Sequence, residues 1–151
     1  MTTTEGQATQ SRTMRRIEVV LLLQSVELFK FCSAAEVVRI AGISEQYQFA
    51  ADERIYRAND PANMLYCVVD GEVALENEEG GDSVIIGPRG SFGVLEILSG
   101  RLRANHARAA SDTVALGIAA SDFFDLLSSN VEIVKALFRE VLDDRPGSSM
   151  M

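Results

Sequence analysis

The segment from Gly90 to Ile118 combines a glycine-rich turn, a short helical stretch and an arginine, Arg103, followed by the small residue Ala104. Backbone N–H groups at the start of a short helix, together with a guanidinium group, are suited to hold one anionic phosphate. The sequence therefore predicts a phosphate-sized anion site in this segment. The alternative is that Arg103 pairs with a carboxylate such as that of Glu96 and binds no ligand.

The segment resembles the phosphate-binding cassette of cyclic nucleotide-binding domains, whose pattern is roughly F-G-E-x-A-L-x-x-x-x-x-R-A-A-T. Five residues fall on that pattern without a gap: Phe92, Gly93, Leu95, Arg103 and Ala104. The resemblance implies that Arg103 and the backbone N–H groups from Val94 to Glu96 hold the phosphate of cAMP or cGMP. It also implies that the N–H of Ala104 completes the phosphate site.

Some positions depart from the family pattern. Val94 stands where the family has a glutamate that accepts a hydrogen bond from the ribose 2′-hydroxyl, and an unpaired buried hydroxyl costs about 1–3 kcal/mol. Glu96 occupies a small-residue position near the phosphate, and a helical turn of about 100° per residue prevents it from replacing the missing acceptor. Asn105 replaces another small residue and still offers hydrogen bonds to a purine. The sequence favours a weak cyclic nucleotide site.

Composition and charge exclude several classes of function. The chain has 151 residues, 47% of them hydrophobic, which fits one globular domain. A net charge of −8 argues against nucleic acid as a partner, because phosphate backbones are bound by positive surfaces. A single histidine, His106, and the lack of a CxxC motif argue against a metal site. The polar N-terminus and the short apolar runs predict no membrane association and a cytoplasmic location, where Cys32 and Cys67 stay reduced.

Helical patterns flank a region of short strands. Apolar spacing predicts a helix from Thr13 to about Glu27, and Ser33 and Glu36 form a capping box that opens a second helix ending at Gly42. From Gln46 to Ile118 the pattern is that of short strands separated by turns, with Asp70-Gly71 predicted to close a hairpin.

Two further helices are predicted after these strands, one with Ser121 as its N-cap and one from Val131 to Leu142. The fold class is therefore mainly β with flanking helices: an antiparallel β-roll or jelly roll with N-terminal helices, a short cassette helix and two C-terminal helices. Residues 1–12 are predicted to be a disordered tail, 13–145 one cyclic nucleotide-binding-like domain, and 146–151 a flexible tail.

The expected function is that of a non-enzymatic regulatory domain that binds cAMP or cGMP and signals to another protein chain. Another chain is expected because the sequence after Leu142 is too short for a helix-turn-helix. The alternative is an interaction module on the same fold that no longer binds cyclic nucleotide and uses its apolar helices as a contact surface, which allows a homodimer. No catalytic arrangement of residues and no cofactor is expected.

Overall fold

The computed structural model describes residues 13–142, so both predicted tails lie outside the described residues. Within these residues, five α-helices flank or interrupt the strands: α1 (Arg16–Gln24), α2 (Ala34–Gly42), α3 (Val94–Ser99), α4 (Ala120–Ser129) and α5 (Val131–Val141). Eight strands lie between α2 and α4: β1 (Ser44–Phe49), β2 (Arg54–Tyr56), β3 (Met64–Asp70), β4 (Val73–Glu76), β5 (Val84–Ile86), β6 (Ser91–Phe92), β7 (His106–Ala109) and β8 (Thr113–Ala119). The predicted order of elements is confirmed.

The strands form two antiparallel four-stranded sheets, in the order β1-β8-β3-β6 and β2-β7-β4-β5. This arrangement confirms the predicted jelly roll. Among the described strands, only β4 and β5 are both neighbours in the chain and partners in a sheet. The predicted hairpin at Asp70-Gly71 is wrong, because β3 belongs to the first sheet and β4 to the second. The turn there passes the chain from one sheet to the other.

The two central strands of the first sheet, β3 and β8, are buried on both faces, which explains why β3 is apolar without alternation. Leu65 and Cys67 of β3 pack into a cluster with the helices, whereas Tyr66 and Val68 pack into a second cluster between the sheets. All four are at most 8% exposed. The molecule thus has three layers: helices, the first sheet and the second sheet.

The helix boundaries follow local capping signals in one case and sheet pairing in another. In α2, the Ser33 hydroxyl accepts the Glu36 N–H at 3.2 Å and the Glu36 carboxylate accepts the Ser33 N–H at 2.8 Å, as the capping box predicts. In α4 the predicted N-cap, Ser121, is wrong. The N-cap is Ala119, because β8 still pairs with β3 at that residue and runs into α4 without a linker.

Both cysteines are expected to react slowly with thiol reagents in the folded protein. Burial raises the pKa of the Cys67 thiol to about 12, and burial with the nearby Glu36 carboxylate raises that of Cys32 to about 11. Because the thiolate is the reactive form, both thiols should react more slowly at pH 8 than an exposed cysteine does. The absorbance change of a disulfide-exchange reagent should show that both thiols become reactive together when the protein unfolds in urea. Rapid labelling of Cys67 in buffer would contradict its burial.

Candidate phosphate-binding site

Helix α3 is bounded by two glycines in the left-handed region, Gly93 with φ of +91° and Gly100 with φ of +71°. At Gly93 a side chain is excluded by contact as well as by backbone conformation. A Cβ atom there would lie 2.9 Å from Arg103 Nη1 and 3.1 Å from the Met64 carbonyl oxygen. Gly93 therefore allows the Arg103 guanidinium to approach the start of α3.

The Arg103 side chain is buried, with the residue only 2% exposed. Its Nη1 donates to the Gly93 carbonyl at 2.7 Å and its Nη2 donates to the Met64 carbonyl. The guanidinium carbon lies 4.1 Å from the centre of the Tyr56 ring, a cation–π contact. Burial raises the pKa of the Tyr56 hydroxyl to about 12, although the Arg103 charge acts in the opposite direction, so the ring stays neutral. Arg103 Nε has no acceptor within residues 13–142.

The Arg103 backbone is fixed to the loop between β2 and β3. Its N–H donates to the Asp60 carbonyl at 2.9 Å, and its carbonyl accepts the Asn59 N–H at 2.8 Å. Asn59 has φ of +74°, a conformation that asparagine adopts more readily than most residues. The Asn59-Asp60 pair thus holds the arginine at a fixed place on the sheet framework.

The Glu96 carboxylate lies on the donors that the family resemblance assigns to a phosphate. Its Oε1 accepts from Arg103 Nη1 at 3.2 Å, and its Oε2 accepts from the Ala104 N–H at 3.4 Å. The Glu96 side chain is 15% exposed and that of Arg103 is 1% exposed. The ion pair that the sequence raised as an alternative is therefore present.

A pocket of about 290 Å³ opens beside this ion pair. Five of the eight residues predicted for the site line it: Gly93, Leu95, Glu96, Ala104 and Asn105. The other three are buried: Phe92 stacks on Tyr66 with ring centres 5.1 Å apart, Val94 packs in the helix-side cluster, and Arg103 lies under Tyr56. Val94 therefore presents no group to the pocket.

Sequence reasoning did not assign five further lining residues to the site: Tyr56, Leu75, Ser99, Arg101 and Leu102. Tyr56 and Leu75 come from strands far along the chain, and no local motif marks them. Ser99, Arg101 and Leu102 lie between the two halves of the cassette, and the spacing of the motif could have indicated them. Arg101 belongs to a basic cluster in the sequence, formed by Arg101, Arg103, His106 and Arg108.

Two members of this cluster, His106 and Arg108, lie on β7 of the second sheet and make contacts outside the pocket. Arg108 pairs with Glu76 at 2.8 Å and with Asp52 at 3.0 Å, and its hydrogen bond lowers the pKa of the Glu76 carboxyl. The His106 Nδ1 accepts the Ala58 N–H at 3.0 Å. Neither side chain lines the pocket, in contrast to Arg101, and their contacts connect β7 to β4 and to the loops on either side of β2.

Metal-binding clusters and membrane-spanning helices are both absent from residues 13–142. No group of three or more His, Cys, Asp or Glu side chains is placed to hold a metal ion in that range. None of its helices has the length and apolar character needed to cross a bilayer.

Known proteins are similar to this chain over most of its length. The cyclic nucleotide-gated potassium channel mll3241 of Mesorhizobium japonicum is 29% identical over 128 residues, covering 85% of this chain and 35% of the channel. The chain spans between about a fifth and a third of the length of the curated relatives it matches.

Solved structures share the fold. A cAMP-bound triple mutant of the regulatory subunit of a cAMP-independent protein kinase A from Trypanosoma brucei has a TM-score of 0.72 at 18% identity, covering 95% of this chain and 51% of that one. The catabolite activator protein of Thermus thermophilus has a TM-score of 0.67 at 22% identity, covering 78% and 57%. Residues 46–130 match the cyclic nucleotide-binding domain family, and with that match the chain belongs to this family.

Proposed function

We propose that this chain is a non-enzymatic regulatory domain that binds cAMP or cGMP weakly beside α3 and signals to a partner protein. The observation that carries the proposal is the position of the pocket. It opens at the family's phosphate-binding segment, where a carboxylate already contacts Arg103 and the Ala104 N–H. These two donors therefore hold an anionic group in this fold, and a cyclic phosphate carries one negative charge.

The remaining pocket residues can contact both the face and the polar edge of a purine base. Leu95 and Leu102 line it and are 39% and 57% exposed, so they offer apolar surface to the face of a base. Asn105 lines the same pocket and carries both a donor and an acceptor for the polar edge of a purine. These residues support a nucleotide ligand in preference to a simple inorganic anion.

Two features reduce the expected affinity. Val94 is fully buried, so the ribose 2′-hydroxyl lacks the acceptor that the family resemblance assigns to this position. Leaving that hydroxyl unpaired weakens binding by about tenfold to a hundredfold. In addition, the Glu96 carboxylate must move before a phosphate can reach Arg103 and Ala104. We therefore expect dissociation constants well above those of a site with both features intact.

The Trypanosoma brucei structure supports cAMP as a ligand class. In its cAMP-bound mutant a glutamate is replaced by alanine, and an arginine and an alanine are introduced seven and eight residues later. In this chain Arg103 and Ala104 follow Glu96 at the same two spacings. This chain thus has an arginine and an alanine at the spacings at which the mutant has them, and it has a glutamate where that spacing begins.

The exposed apolar side chains of the C-terminal helices support a protein partner. Helix α5 buries Ile133 and Leu137 against the domain, while Val131, Phe138 and Leu142 point outward and are at least 59% exposed. At 100° per residue these three side chains form one stripe along the helix. Such a stripe is typical of a surface that packs against another protein.

A second candidate is an interaction module that binds no cyclic nucleotide. The observation that favours it is the complete burial of the Arg103 side chain, which bonds two carbonyls and Glu96 without a ligand. In that case the domain presents α4 and α5 to its partner in one fixed state.

Thermal unfolding with cAMP and cGMP discriminates between the two functions. We expect about 10 mM of one of them to raise the melting temperature, since a ligand at ten times its dissociation constant stabilises a fold by about 1.4 kcal/mol. Adenosine, which lacks the phosphate, should give no shift. The matched variant Ala104→Phe, which fills the pocket from an exposed position, should also give none. Equal melting temperatures with and without both nucleotides would instead favour the interaction module.

A further inference from the structure

We infer that Glu96 is a tethered competitor of the ligand, an internal anion that occupies the phosphate donors and sets the affinity of the pocket. The inference rests on the proposed function to the extent that the ligand carries an anionic group. It identifies Glu96 as the residue that regulates access to the site. It also predicts that removing the Glu96 carboxylate strengthens ligand binding.

The contacts of Glu96 match those of two phosphate oxygens. One carboxylate oxygen accepts from the Arg103 guanidinium and the other accepts from the Ala104 backbone, so both donors are occupied at once. An incoming phosphate would meet a negative charge at the same place. It can bind these donors only after the carboxylate has left.

The same contacts are long enough to be displaceable. Charge-assisted N–H to carboxylate bonds are about 2.7–2.9 Å long, whereas Glu96 lies 3.2 Å from Arg103 Nη1 and 3.4 Å from the Ala104 nitrogen. The Gly93 carbonyl lies closer to Nη1, at 2.7 Å. Arg103 therefore keeps its carbonyl partners when the carboxylate leaves, and the donors remain in place for a ligand.

The Glu96 carboxylate can also move away from these donors into solvent. Its side chain is 15% exposed and lines the pocket, so rotation about its side-chain bonds can carry the carboxylate to solvent. A group on a short tether competes with an effective concentration in the millimolar range or above. The apparent affinity for the ligand therefore falls as the fraction of time that the Glu96 carboxylate contacts Arg103 and the Ala104 N–H rises.

Isothermal titration of cAMP against wild type, Glu96→Ala and Glu96→Gln tests this inference. We expect both variants to bind cAMP at least tenfold more tightly than wild type, with inorganic phosphate competing for the same site. Glu79→Ala removes an equal charge from the exposed β4–β5 turn and should bind like wild type. A tenfold gain in Glu79→Ala would show that net charge, and not competition at the donors, controls affinity.

The outcomes separate this inference from the proposed function. If wild type binds neither nucleotide and Glu96→Ala binds cAMP, weak sensing fails while the competitor role stands. If both Glu96 variants fold, as circular dichroism would show, and bind no more tightly than wild type, the competitor role is overturned. Glu96→Gln keeps the side-chain volume, so it serves as the test should the alanine variant fail to fold.

Discussion

Arg103→Ala is expected to lower the free energy of unfolding by about 3–5 kcal/mol, the usual cost of removing one partner of a buried ion pair. The substitution leaves the carbonyls of Gly93 and Met64 and the Glu96 carboxylate without their shared donor. It also removes the cation that covers the Tyr56 ring. Loss of ligand binding in this variant would therefore reflect a damaged fold as well as a missing contact.

Urea unfolding followed by circular dichroism measures this effect. Arg101→Ala is the matched control, because Arg101 lines the same pocket but is exposed, and it should change stability by less than about 0.5 kcal/mol. A double-mutant cycle with Glu96→Ala isolates the ion pair from the carbonyl contacts. A loss below about 1 kcal/mol in Arg103→Ala would mean that the buried guanidinium contributes little, against the geometry.

Gly93→Ala is expected to have the second large effect. A left-handed conformation costs a non-glycine residue about 1–3 kcal/mol. At Gly93 the added methyl group would also lie 2.9 Å from Arg103 Nη1, so the guanidinium must shift from its place at the start of α3. We expect a loss of stability together with a loss of whatever nucleotide binding Glu96→Ala confers.

Two other glycines separate the causes of that effect. Gly100 has φ of +71° but an added Cβ would meet no atom within 4 Å, so Gly100→Ala reports backbone strain alone. At Gly87 neither strain nor contact is present, so Gly87→Ala should be close to neutral. If Gly93→Ala costs no more than Gly100→Ala, the close approach of Arg103 is not important for stability.

Local signals in the sequence predicted most of the elements, but not how the strands pair. The Ser33 and Glu36 capping box begins α2 as expected, because both partners lie within one turn of each other. The Asp70-Gly71 turn has the same local chemistry whether its strands pair with each other or enter different sheets. Pairing of β3 with β8, 40 or more residues apart, decides between these outcomes, and no local pattern records it.

In the candidate site too, the sequence predicted the local features but not the contacts between distant residues. The spacing from Gly93 to Arg103 and Ala104 was sufficient to locate the cassette, since all three lie within one short segment. The packing of Tyr56 over Arg103 joins residues 47 positions apart, and the sequence contains no signal for it. The sequence left open whether Glu96 pairs with Arg103, because that depends on where one flexible side chain points.

The Glu96 side chain is the moving part of the site, and the backbone around it is the stationary part. The Arg103 backbone is bonded to Asn59 and Asp60 and so belongs to the rigid frame. Helix α3 also belongs to this frame, because Val94 and Ile97 are buried in the core cluster on the helix side of the first sheet. Exchange of the internal carboxylate for a ligand thus needs rotation about the side-chain bonds of Glu96 and no movement of α3, a rearrangement faster than the movement of a whole loop or helix. The site can therefore open quickly while both sheets keep their register.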